Sequence, residues 1–317
     1  MFLLFRRLYR AARFITKTRN LRLLLLLSNY KGLKCSDFEV LPCEKIYLKG
    51  TKIDLVPPSR HFLLEGYLLY SDLVKSGKAE FLIDQDGELI MHFGSISLFL
   101  RSWQELFIAH EIFYQGCYNI LIQEPFYFLD IGFNVGIASI FFGAKSNCLA
   151  IQAFEPFPAT YQRGCQNLNL NSWLKNKVQL HNYGLSFSDN AFRVEYCEEL
   201  KGSIGVFGIS PFAKNSTAPN RAPSVVIYVK EAAKEVRLFL QNKPHAKVVC
   251  KIDCEGSEYE ILPRLASEGI LDSIDIFMIE WHEKGPESLE VLLEKNGFCI
   301  LSLAPYANNH GMIYAWK

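Results

Sequence analysis

After Pro125 the chain repeats one pattern, a short apolar run followed by a longer segment whose apolar positions recur at helical spacing. FYFLDIG reads as a strand, VGIASIFFGAK as a helix, CLAIQAFE as a second strand, ATYQRGCQNLNLN as a polar-faced helix and KVQLHNYGL as a third strand. SVVIYV, AKVVCKID and IDIFMIEW are further strands; helices fall over 232–241, from near Ser257, and over PESLEVLLEKNG. FCILSLA and GMIYAWK close the chain as an antiparallel pair. Strands alternating with helices imply βαβ units. The expected fold is α/β: a Rossmann-like open sheet, mostly parallel, with a terminal antiparallel strand. Two stretches interrupt it. Residues 190–207 read as an inserted hairpin, and GISPFAKNSTAPNRAPS, rich in Pro, Ser and Asn, as a surface loop.

Upstream the text is strand-like and broken by turns. KIYLKGTKIDLV and AEFLIDQDGELIMHF alternate around Gly50 and around Asp86-Gly87, a hairpin signal. The stretch from Pro57 to Gly77 is short-helical or irregular, and Trp103 to Phe113 suggests a helix ending by Gly116. The expected organisation is a basic, apolar helical segment over 1–31, a β-rich α+β extension over 32–100 and a catalytic domain over 101–317. With 317 residues, half of them hydrophobic, the chain can bury a core of that size.

A net charge of +1 identifies no partner, but its distribution is uneven. Residues 1–31 carry eight cations and no acid, so the other 26 cations face 33 acids, a net −7. In 1–31, arginines alternate with Phe2, Leu3, Leu4, Phe5, Leu8, Phe14 and Ile15. The run Leu23 to Leu27 is far below the roughly 20 residues that span a bilayer. An amphipathic helix lying on an anionic membrane surface fits this segment, and so does a helix packing on the protein's own sheet. The nine cysteines are odd in number, scattered and free of any CxxC pair, which implies reduced thiols of a cytoplasmic protein. Cys250 and Cys254 flank an apolar strand and read as core residues. Nothing in the charge pattern calls for nucleic acid.

In open α/β sheets, ligands bind beyond the carboxyl ends of the strands. The first strand ends in Asp130-Ile131-Gly132-Phe133-Asn134-Val135-Gly136, whose small residues let the backbone turn sharply and approach a ligand. A dinucleotide GxGxxG needs glycine at 134 and 137, where Asn and Ile stand; a P-loop is absent. Glu155 tips the second strand, 25 residues after Asp130, where a carboxylate can accept hydrogen bonds from both ribose hydroxyls of an adenosine. KIDCEGSE places Asp253, Glu255 and Glu258 where another strand stops, and IEWH places Glu280 and His282 on one face of the next. Asp253 and Glu255 also share a face by period two. Glu258 reads as an acid at a helix start, favoured by the helix dipole. Adjacent tips bring Asp253, Glu255, Glu280 and His282 together, where like charges shift pKa values.

FLDIGFNVG, AFEPFP, the helix end at Asn167, Asn169 and Asn171, KIDCEGSEYEIL and IEWH together resemble the FkbM-type S-adenosylmethionine-dependent methyltransferases, over roughly residues 100–317. The resemblance implies a class I methyltransferase fold, usually a seven-stranded sheet with one antiparallel strand, and usually O-methylation of a sugar or natural-product hydroxyl. It implies that Asp130, Gly132, Asn134 and Gly136 form the S-adenosylmethionine loop and that Glu155 holds the ribose. Phe187 stands where the family carries an acid after the third strand, so that segment is given no adenine contact. The resemblance leaves the first 90 residues and the 208–224 loop unexplained.

The expected reaction is methyl transfer to a hydroxyl of a small molecule or glycan, with no nucleic-acid partner. A neutral alcohol needs a base, and His282, supported by Glu280 or Asp253, is the expected one. A cation on Asp253, Glu255 and Glu280 is a variant that would lower the hydroxyl pKa; a metal-free site is preferred. The alternatives are a nicotinamide-dependent oxidoreductase, disfavoured by Asn134 and Ile137, and a non-catalytic membrane-associated protein with a vestigial cofactor fold. If residues 1–31 bind membrane, anionic vesicles will sediment the protein at low salt and release it at high salt. Persistence of sedimentation after truncation of 1–31 would refute that role.

Overall fold

The computed structural model describes Leu33 and residues 37–40, 46–49, 51–55, 58–209, 223–241, 243–306 and 310–317. The expectations for 1–31 and for all but the ends of the 208–224 loop lie outside the described residues. The chain divides into two units, Met1–Cys117 and Tyr118–Lys317.

In the first unit, β1 (Phe38–Val40) pairs antiparallel with β2 (Ile46–Leu48). Two short helices follow, α1 (Phe62–Glu65) and α2 (Tyr67–Lys75). β3 (Ala79–Ile83), β4 (Leu89–Phe93) and β5 (Ile96–Phe99) form an antiparallel sheet. The turn between β3 and β4 is the expected one: the Asp84 carboxylate accepts from the backbone N–H of Asp86 and of Glu88. α3 (Trp103–His110) is capped by Ser102 and runs on through one π turn to left-handed Gly116. Its Leu106 packs so closely on Gly66 that a Cβ there would lie 2.6 Å from the leucine methyl. α3 lies in the first unit.

The second unit is built on β6 (Phe126–Ile131), β7 (Cys148–Phe154) and β8 (Val178–His181), then β14 (Lys247–Ile252), β15 (Ile276–His282), β16 (Cys299–Tyr306) and β17 (His310–Trp316). Their order is β16-β17-β15-β14-β6-β7-β8, and β17 runs opposite to the other six. All six residues of β6 are buried, as a central parallel strand requires. Ile131 pairs with Phe154 on one side and Ile252 on the other, and Ile252 pairs with Ile279. Four strands thus end side by side, and strand order reverses between β6 and β14.

Helices α4 (Ile137–Gly143), α5 (Pro158–Leu170), α6 (Ala232–Leu240), α7 (Glu258–Ser267) and α8 (Glu287–Lys295) fall where the periodicity places them. Ile252, Phe277, Ile261, Leu265, Leu289 and Leu293 form one buried cluster between sheet and helices. Phe128 stacks on Phe142 of α4, ring centroids 4.1 Å apart.

The structure departs from the sequence reading in the middle of this unit. KVQLHNYGL is two strands, because after β8 the chain turns at Asn182 and β9 (Gly184–Ser186) joins another sheet. That sheet has the order β10-β13-β9, with β10 (Asn190–Glu195) and β13 (Ser224–Glu231) antiparallel. β13 buries alternate residues and exposes the rest, a pattern that a central parallel strand cannot have. Residues 190–207 are not one hairpin: β10 pairs with β13, and a separate hairpin joins β11 (Ile204–Gly205) to β12 (Gly208–Ile209). No described helix is long and apolar enough to cross a membrane.

Where β6 ends, Gly132 has φ of 90°, and a Cβ there would lie 1.8 Å from the carbonyl oxygen of Asp253. The glycine is therefore required first by the neighbouring strand end, before any ligand. Gly132→Ala should destabilise the fold by more than about 2 kcal/mol in urea unfolding. An unchanged unfolding midpoint would contradict this packing.

Candidate active site

The side chain at the centre of the four strand ends is a lysine that the sequence reading passes over. Lys251 alternates out of the apolar run of β14 and is buried, with its ammonium donating to the carbonyl of Gly132 at 2.7 Å. The same nitrogen lies 3.3 Å from Asp130 Oδ1 and 3.3 Å from Asp253 Oδ2. Burial by itself drives an ammonium toward neutrality; the Asp253 and Asp130 carboxylates outweigh it and hold the Lys251 pKa above the usual lysine value. Asp130 is fully buried and also accepts from the hydroxyl of Ser139 on α4 at 2.6 Å. It thereby ties α4 to Lys251, which holds the loop that leaves β6.

That loop carries three left-handed residues, Gly132, Asn134 and Gly136. The Asn134 backbone N–H donates to Glu155 Oε2 at 2.8 Å, and the Phe157 N–H donates to Glu155 Oε1 at 3.0 Å. Burial pushes the Glu155 carboxyl up to about 8, against those two N–H donors and Lys251. Each oxygen of an ionised carboxylate has a second acceptor position. Beside it the side-chain oxygen of Asn134 is buried without a hydrogen-bond partner. Paired acceptors on Glu155 and an orphaned acceptor on Asn134 suit a ligand that brings hydroxyl and amino donors. Asn167 fixes the loop from α5 by donating to the carbonyl of Val135 at 2.9 Å.

The acidic residues meet as expected, by a different route. β14 stops at Ile252, and a turn with Glu255 at φ of 51° and Gly256 at 106° brings Asp253 and Glu255 together, so strand alternation does not apply to them. Cys254 likewise sits in this turn, outside the strand that holds Cys250. Glu258 does more than begin a helix. Fully buried, it accepts from the Gly256 N–H at 2.9 Å, the His282 N–H at 2.8 Å and His282 Nδ1 at 3.2 Å. Ser257 contributes no cap to α7. His282 Nε2 then lies 3.7 Å from Glu255 and 3.8 Å from Glu280.

Burial opposes a charge on His282, but Glu255, the hydrogen bond to Glu258 and Glu280 outweigh it and raise its pKa well above the usual histidine value. The surrounding carboxylates therefore favour the imidazolium over the neutral ring. Burial, with Asp253, Glu280 and Glu258 close by, pushes Glu255 up to about 8, while His282 opposes the rise.

The inserted segment stands over this turn. Gly205 in β11 approaches so closely that a Cβ would lie 2.4 Å from the Glu255 carbonyl oxygen. Ile204, Val206, Ile209, Tyr196 and Ile227 form a small core with Phe157, two residues past Glu155. The Tyr196 hydroxyl lies 3.0 Å from that of Thr160 on α5. One structure thus covers the tips of β7 and β14; its sequence signal, alternation in FRVEY and SVVIYV, is readable only once the two strands are known to pair.

This strand order and these loaded strand ends define a class I, Rossmann-like methyltransferase fold. The profile described as "Methyltransferase FkbM domain" matches residues 130–300, more than half of the chain. The chain belongs to the FkbM methyltransferase family. It is 30% identical over 217 residues to "Methyltransferase sdnD" of Sordaria araneosa, covering 61% of this chain and 82% of that one. It is 26% identical over 204 residues to "Methyltransferase 1" of Beauveria bassiana (strain ARSEF 2860), covering 61% and 81%. A crystal structure of methyltransferase FkbM from Methylobacillus flagellatus KT aligns at a TM-score of 0.41 and 13% identity, covering 80% of this chain and 60% of that chain.

Removing Lys251 would strand the buried Asp130 carboxylate. Lys251→Met should destabilise the protein by roughly 3–5 kcal/mol, and adding Asp130→Asn should recover part of the loss. Full additivity of the two substitutions in urea unfolding would show that the pair is not coupled.

Proposed function

We propose that the chain transfers the methyl group of S-adenosylmethionine to a hydroxyl of a small molecule or glycan. The observation that carries this reading is Glu155. Each of its oxygens is oriented by one backbone N–H and retains one acceptor position, which suits the two hydroxyls of a ribose. Gly132, Asn134 and Gly136 shape the loop beside it, and Asp130 anchors that loop through Lys251 and Ser139. When bound, S-adenosylmethionine supplies a methyl group already activated on a positively charged sulfur, so the protein chiefly positions the acceptor and takes its proton.

Glu255 is the proton acceptor in this reading, in place of His282. It sits at the strand tip, in a left-handed conformation costly for a non-glycine residue, under the β11–β12 hairpin. Its carboxyl, pushed up to about 8, is in its ionised form a stronger base than an ordinary carboxylate. His282, fixed by Glu258, orients Glu255, while Glu280 and Asp253 complete the acidic wall. Family membership supports methyl transfer over the nicotinamide and vestigial alternatives.

Calorimetry with S-adenosylhomocysteine, paired with turnover on a panel of sugars, glycans, polyketides and an RNA oligonucleotide, tests the reading. Glu155→Gln should weaken binding by roughly 1.5–3 kcal/mol. Glu255→Gln should keep that affinity and lower turnover by about two orders of magnitude. Equal affinity in Glu155→Gln, or full turnover in Glu255→Gln, would remove the respective role. Methyl incorporation into RNA alone would overturn the acceptor class.

The raised Glu155 carboxyl also sets a pH dependence. The charged and titratable groups around it are Lys251 and Asp130 in the sheet and Tyr196 in the insertion. Because its folded pKa of about 8 exceeds the ordinary 4.5, its contribution to stability is full below about 4.5 and is lost as pH rises through 8. Hydroxyl donors favour the ionised form, so affinity for S-adenosylhomocysteine should rise from about pH 6.5 to about pH 8.5 with release of a proton. Glu155→Gln should flatten both slopes; a pH-independent wild-type affinity would contradict the assignment.

A further inference from the structure

The ends of β14 and β15 gather two carboxylates and an imidazole around one point. Ligand-capable atoms of Asp253, Glu280 and His282 all lie within 4.8 Å of one another. His282 is 9% exposed, and its Nδ1 meets the fully buried Glu258. That contact leaves Nε2 directed at the carboxylates, yet Glu255 and Glu280 stand at 3.7 and 3.8 Å, beyond hydrogen-bond distance. The Nε2 of this nine-tenths-buried ring thus faces two carboxylates across 3.7 and 3.8 Å. Donor atoms around an ion at about 2.1 Å stand roughly 3–4 Å apart, so a gap of this size is what a small cation fills. A carboxylate holding the far nitrogen of an imidazole is also how a metal-binding histidine is commonly fixed in tautomer and direction.

We propose that Asp253, Glu280 and His282 bind one divalent cation, with Glu258 as the positioning residue. The sequence pattern points to Asp253, Glu255 and Glu280 as the set for a metal variant; the geometry puts His282 in place of Glu255 and leaves Glu255 to take the substrate proton. Two carboxylates and one imidazole suit a first-row ion better than Mg²⁺, and Zn²⁺ should bind more tightly than Mn²⁺. The inference is independent of the cofactor and the acceptor, since binding is read directly.

The experiment is titration of the full chain with Mn²⁺, followed by electron paramagnetic resonance of the free aquo ion, then electron spin-echo spectroscopy of the bound ion. One Mn²⁺ per chain, displaced by Zn²⁺ and showing coupling to an imidazole nitrogen, is the expected result. His282→Gln should abolish the nitrogen coupling and weaken binding at least roughly tenfold, and Glu280→Gln should weaken it similarly. Glu258→Gln should weaken it roughly 10–100-fold through misdirection of the ring. Glu195→Gln, at an exposed acid on β10, should bind like the wild type. Absence of stoichiometric binding at millimolar Mn²⁺, bound Mn²⁺ without nitrogen coupling, or unaltered binding in a folded Glu280→Gln would each overturn the proposal. Should His282→Gln fail to fold, the nitrogen signal of the wild-type protein decides.

Discussion

One buried ammonium holds the working end of the second unit together. Lys251 reaches from the end of β14 to Asp130 on β6, to the Gly132 carbonyl and to Asp253. A lone buried charge costs several kcal/mol; here two carboxylates and a carbonyl offset it, and a buried pair of this kind serves register more than net stability. Register is what the site needs. Lys251 sets β14 against β6 so that the Asp253 carbonyl lies on Gly132. That contact forces the left-handed turn, and the turn delivers the Asn134 N–H to Glu155. Each step leaves no room for the next residue to sit elsewhere.

The second constraint is an excess of carboxylates. Asp253, Glu255, Glu258 and Glu280 crowd around one imidazole, and Glu155 and Asp130 lie behind them. Burial and mutual repulsion shift several of these groups far from their solution behaviour. Crowding of this sort is costly in a fold that serves structure alone, and it makes the tips of β14 and β15 receptive to cations and to substrate protons. The inserted β10–β13 segment, cored on Phe157, stands over the tips of β7 and β14.

Much of this is legible in the sequence because parallel strands buried on both faces announce themselves as apolar runs. β6, β7, β14 and β15 and their helices follow directly, and with them the positions of Asp130, Glu155, Asp253, Glu280 and His282. Three things are hidden for physical reasons. Lys251 looks like a polar residue in a strand until its neighbours are known to be Asp130 and Asp253. Glu258 carries the same sequence signal whether it serves the helix dipole or reaches the next strand tip to hold His282. β13 alternates like any half-exposed strand, and pairing across an insertion leaves no local mark. The charge state of His282 and Glu255, unlike their position, depends on everything within a few ångströms of the ring, so spacing alone does not rank them as bases.

Hydrogen–deuterium exchange with and without S-adenosylhomocysteine tests the central claim, that the aligned ends of β6 and β7 form the cofactor site. Added ligand should slow exchange of the amides of 132–136 and 155–157, and of the β11–β12 hairpin over them, while leaving α3 and the β3–β5 sheet unchanged. Protection confined to other segments, or no protection at saturating ligand, would contradict the account.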